Sequence, residues 1–133
     1  MRYMLDTNIC IDLIKRRPPQ MFRRFHSLNV GDVGISTITL AELRYGVAKS
    51  QAAEKNAQAL AEFILPLEIA DFDENAASAY GPVRAQLEKS GTPIGPLDTQ
   101  IGAHALSLDI ILVTTNTGEF RRIKGLRVEN WLG

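Results

Sequence analysis

Asp6, Glu42 and Asp98 are the residues of this chain whose type and placement suggest chemistry. Asp6 follows the apolar run "RYML" and precedes Thr7 and Asn8 at the start of an amphipathic stretch. Glu42 falls about two turns into "STITLAELRYGVAKS", and Asp98 lies in the first turn of "PLDTQIGAHALSL". A fourth acid, Glu119, comes three residues after Asn116, where "IILVTTN" closes. Carboxylates gathered this way repel one another unless a divalent cation neutralises them. Oxygen donors alone select a hard ion, Mg²⁺ or Mn²⁺, over zinc. Phosphodiester hydrolysis suits such a site, because the ion lowers the pKa of a water and steadies the leaving oxygen. Thr7, Asn8, Thr114, Thr115 and Asn116 could orient the waters around it.

Each acid also has a structural reading. Asp6 could cap the helix that starts near residue 8. "TLAE" (39–42) matches the S/T-x-x-E capping box, so Glu42 could reach back to its own helix start. Asp98 in a first turn is favoured by the helix dipole. Capping does not require all three to share one end of a sheet, whereas a metal site does. The two histidines do not argue for zinc. His104 sits among apolar neighbours as an interior residue would, and His26 lies on a basic helix.

The elements that must position these acids alternate between strand and helix. Strands are expected at 2–5, 32–36, 67–72, 110–116 and 126–131. Helices are expected at 8–17, 20–28, 36–50, 51–65, 73–91 and 96–108, with Pro18-Pro19 and Pro66 as stops and Gly91 as a C-cap. Pro82 inside the fifth helix implies a kink with no assigned role. Such alternation implies a three-layer α/β/α fold around a central parallel sheet. In open sheets of this kind ligands bind beyond the carboxyl ends of the strands, where these acids would converge.

With 133 residues, 45% of them hydrophobic and 23% charged, one globular domain spanning 1–133 is expected. Fifteen basic and fifteen acidic residues cancel, so net charge gives no hint of a nucleic-acid partner. The single Cys10 excludes an internal disulfide and suits a reducing compartment, in which it serves as a small core residue. Asp6 interrupts the first apolar stretch, and no apolar run nears the roughly 18 residues that span a bilayer. A cytoplasmic protein without a membrane partner is expected.

Four blocks, "MLDTNICIDLI", "ISTITLAELRYGVAKS", "GTPIGPLDTQIGAHALSL" and "LVTTNTGEFRRIKGLRVENW", together resemble the PIN-domain ribonucleases, and among them the VapC-type toxins. They occur in the family's order from the first residues to "ENW". The resemblance implies a Mg²⁺- or Mn²⁺-dependent endoribonuclease that acts on RNA, with tRNA or another structured RNA as substrate. It implies a homodimer held inactive by a VapB-type antitoxin, in an assembly that reaches DNA through the antitoxin. Asp6, Glu42 and Asp98 match its three principal acidic positions. The fourth departs: many members have Asp where this chain has Asn116, so either Asn116 or Glu119 fills that place.

A catalytically inactive binding module of the same fold is the first rival, and three intact acids argue against it. A metal-dependent phosphatase of the haloacid dehalogenase type needs a second Asp where this chain has Asn8. Two basic clusters, Lys15–Arg17 with Arg23 and Arg24, and Arg121, Arg122, Lys124 and Arg127, could meet phosphates or be plain solvated faces.

Overall fold

The computed structural model describes residues 1–132. Among them the strands β1 (Tyr3–Leu5), β2 (Val33–Ser36), β3 (Glu68–Ala70), β4 (Ile111–Val113) and β5 (Val128–Glu129) form one sheet in the order β3-β2-β1-β4-β5. All the pairings are parallel, with Tyr3 opposite Val33 on one side and Ile111 on the other. β1 is therefore central, and the carboxyl ends of its neighbours lie beside its own.

Parallel strands need covering on both faces, and the side chains of β1 alternate accordingly. Tyr3 and Leu5 enter a core with Ile9, Leu13, Ile35, Leu43, Leu60 and Val113. Met4 enters the opposite core with Leu87, Ile101, Leu112, Phe120 and Ile123. The first core is covered by α1 (Thr7–Ile11), α2 (Pro19–His26), α3 (Thr37–Lys49) and α4 (Ala53–Ile64). The second is covered by α5 (Glu74–Lys89), α6 (Pro96–Leu108) and α7 (Thr117–Phe120). These are the three layers expected from the alternation. Cys10 is buried in the first core.

α1 continues as one π-helical segment, Asp12–Arg16, and ends where Arg17 turns to a left-handed φ of 47°. α2 begins with Pro19, whose missing N–H costs nothing in a first turn. Pro82 stands inside an unbroken α5 on an exposed face, where water can satisfy the carbonyl it frees. All five strands are shorter than the runs that predict them. β4 stops at Val113 because the Thr114 hydroxyl accepts from the Asn116 amide at 2.9 Å, turning the chain into α7. α7 has four residues, too few to show a helical period in the sequence. Among the described residues, no helix is long and apolar enough to cross a membrane.

Gly34 lets β2 and β3 lie close, since a Cβ there would strike the backbone carbonyl of Glu68. Backbone in a central sheet cannot yield as a side-chain tip would. Gly34→Ala should cost about 1–3 kcal/mol in denaturant unfolding, the range for overpacking. Gly118→Ala, with nothing within 4 Å of its added carbon, should change stability little.

Candidate active site

Asp6 is the first residue beyond β1 and is 3% exposed. Its Oδ1 caps α1, accepting from the Ile9 amide at 2.9 Å, so the capping reading is correct. It does not exclude another role, because capping engages one carboxylate oxygen. The Thr114 hydroxyl also bonds the carboxylate. Burial outweighs both bonds and, with the charges of Asp98 and Asp12, pushes the Asp6 pKa up to about 6.

For Glu42 the capping reading fails. The N-cap of α3 is Ser36, whose Oγ accepts from the Ile38 amide at 3.0 Å. Glu42 lies more than a turn further on, beyond reach of that cap. Its Oε1 instead accepts from the Thr7 hydroxyl at 2.7 Å, which ties α3 to the start of α1. Asp98 stands in the first turn of α6, behind Gly95 and Pro96. Burial raises its pKa first, and the charges of Glu42 and Glu119 raise it further. Glu119 is on α7, where the Asn116 amide nitrogen donates to its Oε2 at 2.8 Å.

The structure thus brings the four acids into one electrostatic cluster with Asp98 at its centre, facing Asp6, Glu42 and Glu119. Asp6, Glu42 and Asp98 line a cleft of about 900 Å³ together with Thr7 and Asn8. Asn116 and Glu119, the two candidates for the fourth position, are joined by that bond. Thr115 is exposed, and the buried Thr114 is the threonine that supports Asp6. Lys15, Lys49 and Lys55 also line the cleft; the last two carry no sequence signal that separates them from ordinary helix-surface lysines. Three of the nine residues in the basic clusters are held in ion pairs. Arg16 pairs with Asp12, Arg24 with Glu129 and Arg127 with Asp109.

Among the described residues, no three His, Cys, Asp or Glu side chains close into a ready-made coordination cage. Zinc would want such a cage, with nitrogen or sulfur donors. Mg²⁺ keeps several waters and is commonly bound through one or two carboxylates plus substrate phosphates. An open cleft whose acids offer only oxygen donors fits that habit. His104 is buried and hydrogen-bonded outside the acidic cluster, as an interior histidine.

A parallel sheet with acids gathered at its carboxyl edge places a polar site where open α/β sheets bind their ligands. A sequence model described as the PIN domain matches residues 3–126, and the chain belongs to the PIN domain family. It is 46% identical over 131 residues, 98% of each chain, to the tRNA(fMet)-specific endonuclease VapC of Shigella flexneri. Its fold matches a chain of DNA-bound VapBC from Salmonella typhimurium with a TM-score of 0.94 and 46% identity, covering 98% of both chains. VapBC2 from Rickettsia felis, bound to a promoter DNA fragment, matches with a TM-score of 0.93 and 42% identity, covering 98% of this chain and 99% of that one.

The raised Asp6 pKa fixes a sign for stability. The folded state holds a proton on Asp6 more tightly than the unfolded chain, so ionisation disfavours the fold. That cost is absent well below pH 4 and complete above about pH 6, from the shift of 3.8 to about 6. Asp6→Asn keeps the cap and removes the charge. In EDTA, its stability gain over the unaltered chain should grow from pH 4 to 7 by on the order of 2–3 kcal/mol. Urea unfolding at pH 4, 5, 6 and 7 measures it, and a gap that does not change with pH would contradict the burial account.

Proposed function

We propose that this chain is a Mg²⁺- or Mn²⁺-dependent endoribonuclease of the VapC type, the toxin of a toxin–antitoxin pair. The observation that carries the reading is the convergence of Asp6, Glu42 and Glu119 on Asp98 beside an open cleft. Asp6, Glu42 and Asp98 would hold the ion, with Glu119, fixed by Asn116, at the fourth position. When bound, the ion supplies Lewis acidity for attack of water on the phosphodiester.

The chain's own groups do the rest. Ile9 and Thr114 fix the Asp6 carboxylate, and Thr7 fixes Glu42, so two acids are oriented before substrate arrives. Lys15, Lys49 and Lys55 on the cleft wall neutralise RNA phosphates without reading sequence. Tyr45 stands 66% exposed on the same wall, with the Lys49 ammonium 4.9 Å from its ring centroid, and offers a face for an unstacked base. The Shigella flexneri relative is named for a tRNA, and similarity over the full chain favours tRNA or another structured RNA here.

The partner we propose is a VapB-type antitoxin, with a homodimer of this chain joined through it to DNA in the cytoplasm. The two similar structures are toxin–antitoxin complexes on DNA. An apolar groove lined by Leu13, Ile14, Phe22, Phe25 and Phe63 adjoins the cleft and shares Ile14 and Ala59 with it. It is suited to an apolar helical segment of the antitoxin. Leu43 and Leu60, the apolar residues of α3 and α4 nearby, are 6% and 3% exposed and belong to the core instead. A basic antitoxin side chain beside Asp6 and Asp98 would supply the charge the ion otherwise brings.

Asp98→Asn should lower RNA cleavage by more than about a hundredfold with the fold intact, the scale of losing one charge-stabilising group. Cleavage at the unaltered rate ends the metal-site reading. Calorimetric titration of Mn²⁺ without RNA should find one appreciable site and a second, weak one. Asn116→Asp should tighten the second and Glu119→Gln weaken it; two equivalent tight sites in the unaltered chain would contradict this assignment. For the partner, Phe22→Asp on the groove rim should weaken antitoxin binding about tenfold or more while cleavage persists. Undiminished binding would remove the antitoxin from this groove.

A further inference from the structure

His104 lies on α6, six residues beyond Asp98, and is 1% exposed. The acidic cluster does not use it, yet its ring joins three separate segments. Ser36 Oγ accepts from the Ile38 amide at the start of α3, which leaves its hydroxyl proton free to donate. His104 Nδ1 lies 2.8 Å from that oxygen and can accept the proton. In that arrangement the neutral ring carries its own proton on Nε2. The backbone of Asp71, just after β3, is a further hydrogen-bond partner of the ring. Phe72 packs edge-on against the imidazole with centroids 5.4 Å apart, and its amide donates to Thr37 Oγ1 at 3.1 Å. Burial lowers the His104 pKa against the opposing charges of Asp73 and Asp71, which favours the neutral form these bonds require.

These bonds fasten the helix that carries Asp98 to the cap of the helix that carries Glu42. The two carboxylates repel. Without a tie, α3 and α6 would relax apart in the metal-free protein, and an ion would have to draw them back. We propose that His104 is a positioning residue that, through Ser36, sets the separation of Asp98 and Glu42 and so the readiness of the site for its ion. The inference rests on the metal-dependent nuclease reading. It adds a residue that touches neither ion nor RNA.

Five variants test it, read by RNA cleavage kinetics and by Mn²⁺ calorimetry without RNA. His104→Leu keeps an apolar filling and deletes both bonds. It should lower kcat about 10–100-fold and weaken Mn²⁺ binding about tenfold, the scale seen for residues that orient ligands. KM for RNA should change by less than about twofold, since His104 does not face the cleft wall. Ser36→Ala removes the same bond from the other side together with the α3 cap, and the double variant should lose little more than Ser36→Ala alone. His104→Asn, whose Oδ1 can accept from Ser36, should recover most of the activity. Leu87→Ala in α5 opens a cavity in the same core, and should lower melting temperature while leaving kcat and Mn²⁺ affinity in place.

Unaltered kcat and Mn²⁺ affinity in folded His104→Leu overturns the inference, as does His104→Asn behaving no better than His104→Leu. Equal losses in Leu87→Ala overturn it too, because they reduce His104 to general packing. If His104→Leu does not fold, Ser36→Ala decides by the same two readings. An unaltered chain that neither cuts RNA nor binds Mn²⁺ is a different failure. It overturns the nuclease reading, and the inference falls with it.

Discussion

Repulsion centred on Asp98 is the constraint around which the carboxyl edge of this sheet is organised. Its carboxylate faces the charges of Asp6, Glu42 and Glu119, and burial sharpens the effect by removing water. The other three acids are each tethered: Asp6 to the Ile9 amide and Thr114, Glu42 to Thr7, Glu119 to Asn116. Among the described residues, Asp98 has no side-chain hydrogen bond holding it. A cluster in which three members are held and the central one is free stores its tension at that member. It is also where an added positive charge is stabilised most.

The topology makes such a cluster possible at small cost in chain. With β1 central, its end lies between the ends of β2 and β4. Asp6 then needs no loop to reach the site, and Ser36 and Thr114 stand at the neighbouring strand ends with both side chains buried. Neutral hydroxyls at those two places let the edge carry negative charge without an unsatisfied buried polar atom among the described residues. Thr114 supports Asp6 and ends β4, while Ser36 caps α3 and meets His104. Strand end, helix cap and site support are the same residues. Substitution at either position disturbs all of these roles together.

How much of this the sequence reveals follows from which signals are local. The parallel sheet and its two covering layers are legible because unbroken apolar runs alternate with helical periods. Asp6 and Asp98 are legible because the strand end and Pro96 fix their places on helices. Glu42 is ambiguous in sequence, where "TLAE" imitates a capping box; only the true cap at Ser36 removes that reading. The choice between Thr114 and Thr115 depends on which face of β4 the chain presents at its last residue, a tertiary fact. α7 has too few residues to show a period, so the helix carrying Glu119 and the contact from Asn116 are invisible before folding. Lys49 and Lys55 look like any solvated helix lysines until α3 and α4 come together as one wall of the cleft.

A site built on charge deficit also bears on how its proposed partners relate. An ion and a basic antitoxin side chain would relieve the same repulsion at Asp98, so each lowers the free energy the other can gain. By linkage the loss is reciprocal: antitoxin binding weakens the ion by the factor with which the ion weakens the antitoxin. Inhibition then needs no distortion of the fold. Without a cation the edge rests in its least comfortable electrostatic state, with burial pushing the Asp6 pKa up to about 6. Whichever cation arrives first removes that discomfort. The tether between His104 and Ser36 holds the acids ready in the meantime, so the site is kept strained instead of relaxing into a stable but inactive arrangement. Stability given up at this edge is what would make the cleft receptive to a cation, whether a metal ion or a basic side chain of the proposed partner.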